Sequence, residues 1–96
     1  SKVTIIGSNA FARCTSLTSV SFPAATYIGS SAFYYCSKLS KIYLTASSVC
    51  MLASTNAFFS TRISSNKGSI FVPSSLVASY KAATNWAFFS NRIYSA

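Results

Sequence analysis

Apolar and polar positions recur along the first half of the chain in one long pattern, 22 residues from copy to copy. The stretch Ile6-Gly7-Ser8-Asn9-Ala10-Phe11-Ala12-Arg13-Cys14-Thr15-Ser16-Leu17-Thr18-Ser19-Val20-Ser21-Phe22 returns as Ile28-Gly29-Ser30-Ser31-Ala32-Phe33-Tyr34-Tyr35-Cys36-Ser37-Lys38-Leu39-Ser40-Lys41-Ile42-Tyr43-Leu44. Seven of the 17 positions are identical, most of them apolar, Gly or Cys, and Val20/Ile42 and Phe22/Leu44 are near swaps. Core positions repeat while surface positions drift, as stacked repeats require. A third, degraded copy follows. Ala57-Phe58 answers Ala32-Phe33 after 25 residues, and Ile70-Phe71-Val72-Pro73 answers Val20-Ser21-Phe22-Pro23. The extra residues fall among Thr45 to Asn56 and among Ser60 to Gly68, where Asn66-Lys67-Gly68 reads as a turn.

The alternation within each copy predicts its elements. Val20 and Phe22 face inward while Ser19 and Ser21 face solvent, and Ile42 and Leu44 do the same against Lys41 and Tyr43. Short strands are expected near 18–22, 40–44 and 69–72, side by side in a parallel sheet, with Pro23 and Pro73 closing strands. On the opposite side Ile-Gly-x-x-Ala-Phe predicts short helical turns around 8–13, 30–35 and 55–60. There Gly7 and Gly29 permit a tight bend, Ala10 and Ala32 a close approach, and Phe11, Phe33 and Phe58 a stacked ladder.

After Pro73 the period becomes helical. Leu76, Val77 and Tyr80 form one stripe, with Ser74 or Ser75 as N-cap, and Trp86, Phe89 and Ile93 form a second beyond a break at Thr84-Asn85. The expectation is a helical cap over about 74–93, because the last copy of a repeat array exposes its apolar interior unless something covers it. Residues 1–96 thus read as a single domain, with two to three repeats over 1–72 and a cap over 73–96. Ser1 aligns with Pro23, so the first copy is incomplete. A piece of a longer protein is expected, or a chain whose open end is covered by a second copy through its strand edge.

These residues resemble the BspA-type, or treponemal-class, leucine-rich repeat, whose pattern runs I-G-x-x-A-F-x-x-C-x-x-L-x-x-I-x-L-P. The likeness covers residues 3 to 44 well, and the segment from Ile70 to Trp86 is similar to the closing segment of such domains. Two departures stand out: Thr61 replaces the Cys in the third copy, and Ser, Asn or Thr stand where acidic residues are common. The resemblance implies a right-handed leucine-rich-repeat solenoid, non-catalytic, serving as a binding module of an extracellular or cell-surface bacterial protein.

Charge sharpens the picture. Eight Lys and Arg stand against no Asp, Glu or His, a formal net charge of +8. General acid–base catalysis near neutral pH relies on His or a carboxylate, and hard-metal sites need carboxylate oxygens, so an enzyme is not expected and no cofactor is implied. The cations Lys2, Arg13, Lys38, Lys41, Arg62, Lys67, Lys81 and Arg92 are dispersed, as on a solubilising surface. The longest apolar run, Val49 to Ala53, is far too short to span a bilayer, and the first residues carry no secretory signal. Cys14 and Cys36 share a phase and should point the same way as buried free thiols, with Cys50 unpaired.

The candidate ligand face is the strand face: Ser19, Ser21, Lys38, Lys41, Tyr43 and Phe71, where Lys and Tyr combine charge with aromatic surface. An unidentified protein or glycan is the expected partner. A polyanion such as nucleic acid, teichoic acid or sulfated glycan, held by the positive field and Tyr34, Tyr35 and Tyr43, ranks lower for want of a recognised nucleic-acid fold or a basic cluster, and nucleic acid is not expected. The remaining alternative is a terminator of a longer array that binds nothing itself.

Overall fold

The alternating segments become parallel strands in two sheets. The computed structural model describes residues 4–64 and 67–96. Among them β1 (Ile5–Ile6), β3 (Tyr27–Ile28) and β5 (Met51–Leu52) form one sheet, in that order, and β2 (Ser19–Ser21), β4 (Lys41–Tyr43), β6 (Ser69–Val72) and β7 (Ile93–Ser95) form the second. Every pairing is parallel and in repeat register: Val20 lies opposite Ile42, Ile42 opposite Ile70, and Ile70 opposite Ile93. Strands of two to four residues suffice because each copy must cross and return within about 22 residues.

The strands near 18–22, 40–44 and 69–72 are present, but the first sheet carries pairs that alternation did not reveal. A two-residue strand has only one inward side chain, here Ile6, Ile28 and Leu52, and so no period to read. The expected helical turns around 8–13 and 30–35 are not helices either. Asn9, Arg13, Ser31 and Tyr35 have φ between 58° and 64°, which interrupts any helix, and alternate amides bond across copies instead of along the segment. Phe11 N–H donates to Ala32 O at 2.8 Å and Phe33 N–H to Ala57 O at 2.8 Å. In the third copy a 3₁₀ helix does form, Thr55–Phe58, with the Ser54 hydroxyl accepting from Asn56 N–H.

Glycine has a different role from the one expected. No glycine has positive φ, so none supplies a left-handed bend. A Cβ on Gly29 would lie 2.5 Å from Ser8 N, so this position needs the missing side chain to let one copy approach the next. At Gly7 the corresponding space is open. Ala32 is buried, whereas Ala10 is exposed. The same asymmetry runs through the first copy: Phe11, Leu17 and Val20 are half-buried, while Phe33, Leu39 and Ile42 are fully buried. The turn expected at Asn66-Lys67-Gly68 lies partly outside the described residues.

Phe11, Phe33 and Phe58 stack almost parallel, with ring centroids 5.3 and 5.5 Å apart. Thr61, the replacement for Cys, is buried without leaving its hydroxyl unsatisfied, because it donates to Phe58 O at 2.7 Å.

The segment expected as a helical cap over 74–93 is helical in three pieces, a short 3₁₀ helix at Ser74–Leu76, α1 (Val77–Ala82) and a second 3₁₀ helix at Trp86–Arg92 kinked at Phe89, and then turns into β7. Pro73 and Leu76 occupy the N-cap positions and neither makes a side-chain cap, so Ser74 and Ser75 do not play that part. What ends the first sheet is a set of side chains. Tyr80 OH accepts from Cys50 N–H at 2.7 Å, Trp86 Nε1–H donates to Cys50 O at 2.6 Å, and Asn85 Nδ2 donates to Leu52 O at 2.7 Å. These three replace part of the strand that would otherwise pair with β5, while Trp86 and Phe89 pack on Phe58. The second sheet ends differently, with β7 added to its edge.

The cysteines diverge from expectation at one position. All three are free thiols, but Cys14 is exposed while Cys36 and Cys50 are buried. Cys36 Sγ donates to Phe11 O at 2.9 Å across the copies. A native thiol titration is expected to give one fast reaction, at Cys14, and three only after unfolding. Three fast thiols would contradict this packing. Burial pushes the Cys50 thiol from an ordinary 9.0 up to about 12. The unfolded thiol therefore ionises first, so stability should fall as pH rises from about 9 towards 12 and be unaffected by this group below that window.

Candidate binding face

The outer face of the second sheet is a grid dictated by register. One row runs Ser19, Lys41, Ser69, and a second runs Ser21, Tyr43, Phe71, Tyr94. Side chains two apart on a strand share a face, so Lys41 stands beside Tyr43. Ser19, Ser21 and Lys41 are exposed, Tyr43 and Phe71 half-buried, and Tyr94 is 48% exposed.

The aromatic row is continuous. Tyr43 and Phe71 have centroids 4.9 Å apart at 15°, and Phe71 and Tyr94 are 6.1 Å apart at 38°. Phe71 is flanked by a ring on each side, so a ligand meets its edge more than its face. Ring edges carry the positive end of the quadrupole, and with Lys41 alongside, the face favours oxygen acceptors and anions over cations.

Of the six residues expected here, register unites Ser19, Ser21, Lys41, Tyr43 and Phe71. Lys38 is not on a strand: it is exposed in the turn closed by the Leu39 N–H to Cys36 O bond, ahead of β4. Tyr94 was missed. Its signal was present in the chain, since Ile93-Tyr94 repeats the inward–outward pair of Ile42-Tyr43 and Ile70-Phe71.

A cleft of about 630 Å³ opens elsewhere, between β5 and the 83–86 segment, lined by Tyr27, Met51, Ala83, Thr84, Asn85 and Trp86 among others. None of the six expected face residues borders it. Among the described residues, no helix is long and apolar enough to cross a membrane.

Parallel strands stacked at a fixed phase, with an aromatic ladder inside and a second one outside, define a repeat protein whose surfaces are assembled from equivalent positions of successive copies. More narrowly, residues 1–93 match the family model described as BspA type Leucine rich repeat region (6 copies), and the chain belongs to that family. Leucine-rich-repeat domains are generally non-catalytic interaction modules, and this family is typically surface-associated. No curated protein and no solved structure matches the chain.

Proposed function

We propose that the chain is a segment of a right-handed leucine-rich-repeat solenoid, repeats over 1–72 and cap over 73–96, that acts as a non-catalytic binding module of a bacterial cell-surface or secreted protein. Its ligand face is the outer side of the second sheet, with Ser19, Ser21, Lys41, Tyr43 and Phe71 at the centre, Tyr94 extending it and Lys38 at its border. The continuous row Tyr43–Phe71–Tyr94 beside Lys41 carries this reading, because aromatic rings, Tyr among them, are enriched where binding energy concentrates, and Lys41 adds a positive charge at the row's side. The partner is a protein or glycan rich in oxygen acceptors.

Reversing charge at both Lys38 and Lys41 (Lys38→Glu with Lys41→Glu) should abolish the binding that the unaltered protein shows on a combined protein and glycan array. Unchanged binding by a correctly folded double variant would remove this face from consideration. The polyanion reading draws on the absence of any carboxylate side chain from a chain with eight cations. It predicts binding that weakens steeply with salt, which the two lysines near this face are too few to produce. Self-association would use the opposite end, where Phe11, Leu17 and Val20 are half-buried.

A further inference from the structure

A second surface, away from the strand face, is built at the corner that follows each core Phe. Arg13 and Tyr35 occupy the same repeat position in successive copies, and so do Ala12, Tyr34 and Phe59. These positions drift while their neighbours repeat, and here the drift brings one cation and three aromatic rings together. Tyr34 and Phe59 stack at 5.2 Å and 15°. Tyr35 meets both edge-on, at 4.5 and 5.7 Å, and the Arg13 guanidinium lies 5.2 Å from the Tyr35 ring centroid.

The cluster is both rigid and open. Arg13 and Tyr35 hold left-handed backbone at φ 64° and 58°, a conformation that side-chain-bearing residues keep only when their surroundings fix it. Bonds between copies do so: Arg13 N–H donates to Tyr34 O at 2.6 Å and Tyr35 N–H to Phe59 O at 2.9 Å. Yet Tyr35 is 38% and Phe59 44% exposed, and Arg13 is exposed. Large rings left in water on a fixed frame, beside an Arg, have the composition of an interface centre.

Charge then selects the partner. The sequence contains no Asp or Glu, so no acidic side chain of this chain can neutralise Arg13. A guanidinium already resting over a ring loses little further freedom when an anion docks, and its planar fork suits a carboxylate. One cation among three rings is too sparse for a polyanion, which needs several. We propose that Arg13, Tyr34, Tyr35 and Phe59 form a second docking surface, for a protein segment that carries a carboxylate flanked by aromatic or aliphatic side chains.

The test is a selection of random linear peptides displayed on phage against the immobilised protein, with the Arg13→Gln protein as counter-target. Enriched sequences are expected to carry Asp or Glu beside apolar residues. Synthetic copies should bind the unaltered protein roughly tenfold more tightly than the Arg13→Gln variant, and Phe59→Ala should weaken them comparably. Enriched peptides without acids, affinity indifferent to Arg13→Gln, or no enrichment overturns the proposal. So does a sulfated oligosaccharide such as heparin that displaces the peptides with the same dependence on Arg13, since that makes the corner a polyanion site. Arg13 is exposed, so its variant decides the matter even if Phe59→Ala folds poorly. Retained peptide binding by the Lys38→Glu, Lys41→Glu protein separates this surface from the strand face.

Discussion

A Trp86→Ala protein should lose about 3–5 kcal/mol of stability, read as a lower midpoint in chemical denaturation followed by circular dichroism. Circular dichroism is required because Trp86 is the single tryptophan and its fluorescence goes with it. The large effect has two sources. The indole is fully buried against Phe58 and Tyr80, so its removal opens a cavity that the short 3₁₀ segment can close only in part. It also removes the donor at 2.6 Å from Cys50 O, leaving an acceptor at the end of the first sheet without that bond. Trp86→Phe should retain most of the packing and lose the hydrogen bond, at about 1–3 kcal/mol. If both variants unfold at the unaltered midpoint, the cap does not end the sheet in the way described.

Phe33→Ala is the second large effect, also about 3–5 kcal/mol. Its ring is fully buried between Phe11 and Phe58 and touches Phe22 at 6.1 Å, so the substitution empties the middle of the ladder. Phe11→Ala makes the informative comparison. The chemistry is the same, but Phe11 is half-buried, with a stacked ring on one side and no copy above it among the described residues. Its cost should be clearly smaller, because less surface is buried and the space left opens to solvent. Against a total stability of about 5–15 kcal/mol for a domain of this size, either fully buried substitution is a large fraction. Equal costs at Phe11 and Phe33 would argue against the stacking order.

The parts of the fold that were legible in the sequence are those where one residue type serves one physical need at every copy. Phe11, Phe33 and Phe58 must stack, so they repeat as Phe; Val20, Ile42 and Ile70 must point inward, so they remain β-branched. Local bonding gave no such signal. Asn9, Arg13, Ser31 and Tyr35 share a left-handed backbone without sharing a residue type, and at Arg13 and Tyr35 cross-copy amide bonds hold it in place of intrinsic preference. The apolar spacing of 8–13 therefore looked helical when it is not. The cap is helical over Ser74–Leu76, Val77–Ala82 and Trp86–Arg92, and departs from expectation only at its end. Trp86, Phe89 and Ile93 have helical spacing, but a kink at Phe89 and pairing of Ile93 with Ile70 turn the last residues into a strand. Most of the candidate face followed from alternation alone, while Tyr94 needed the recurring Ile-Tyr pair to be carried past the cap.

Residues one repeat apart lie one above another, and the phenylalanine ladder is where that stacking can be read. Nuclear Overhauser spectroscopy on a sample with labelled phenylalanine rings reads it without perturbing the fold. Ring-to-ring cross-peaks linking Phe11 to Phe33 and Phe33 to Phe58, with Phe22 joined to the first pair, are the predicted result. A folded protein whose Phe33 ring shows no cross-peak to either Phe11 or Phe58 would contradict it.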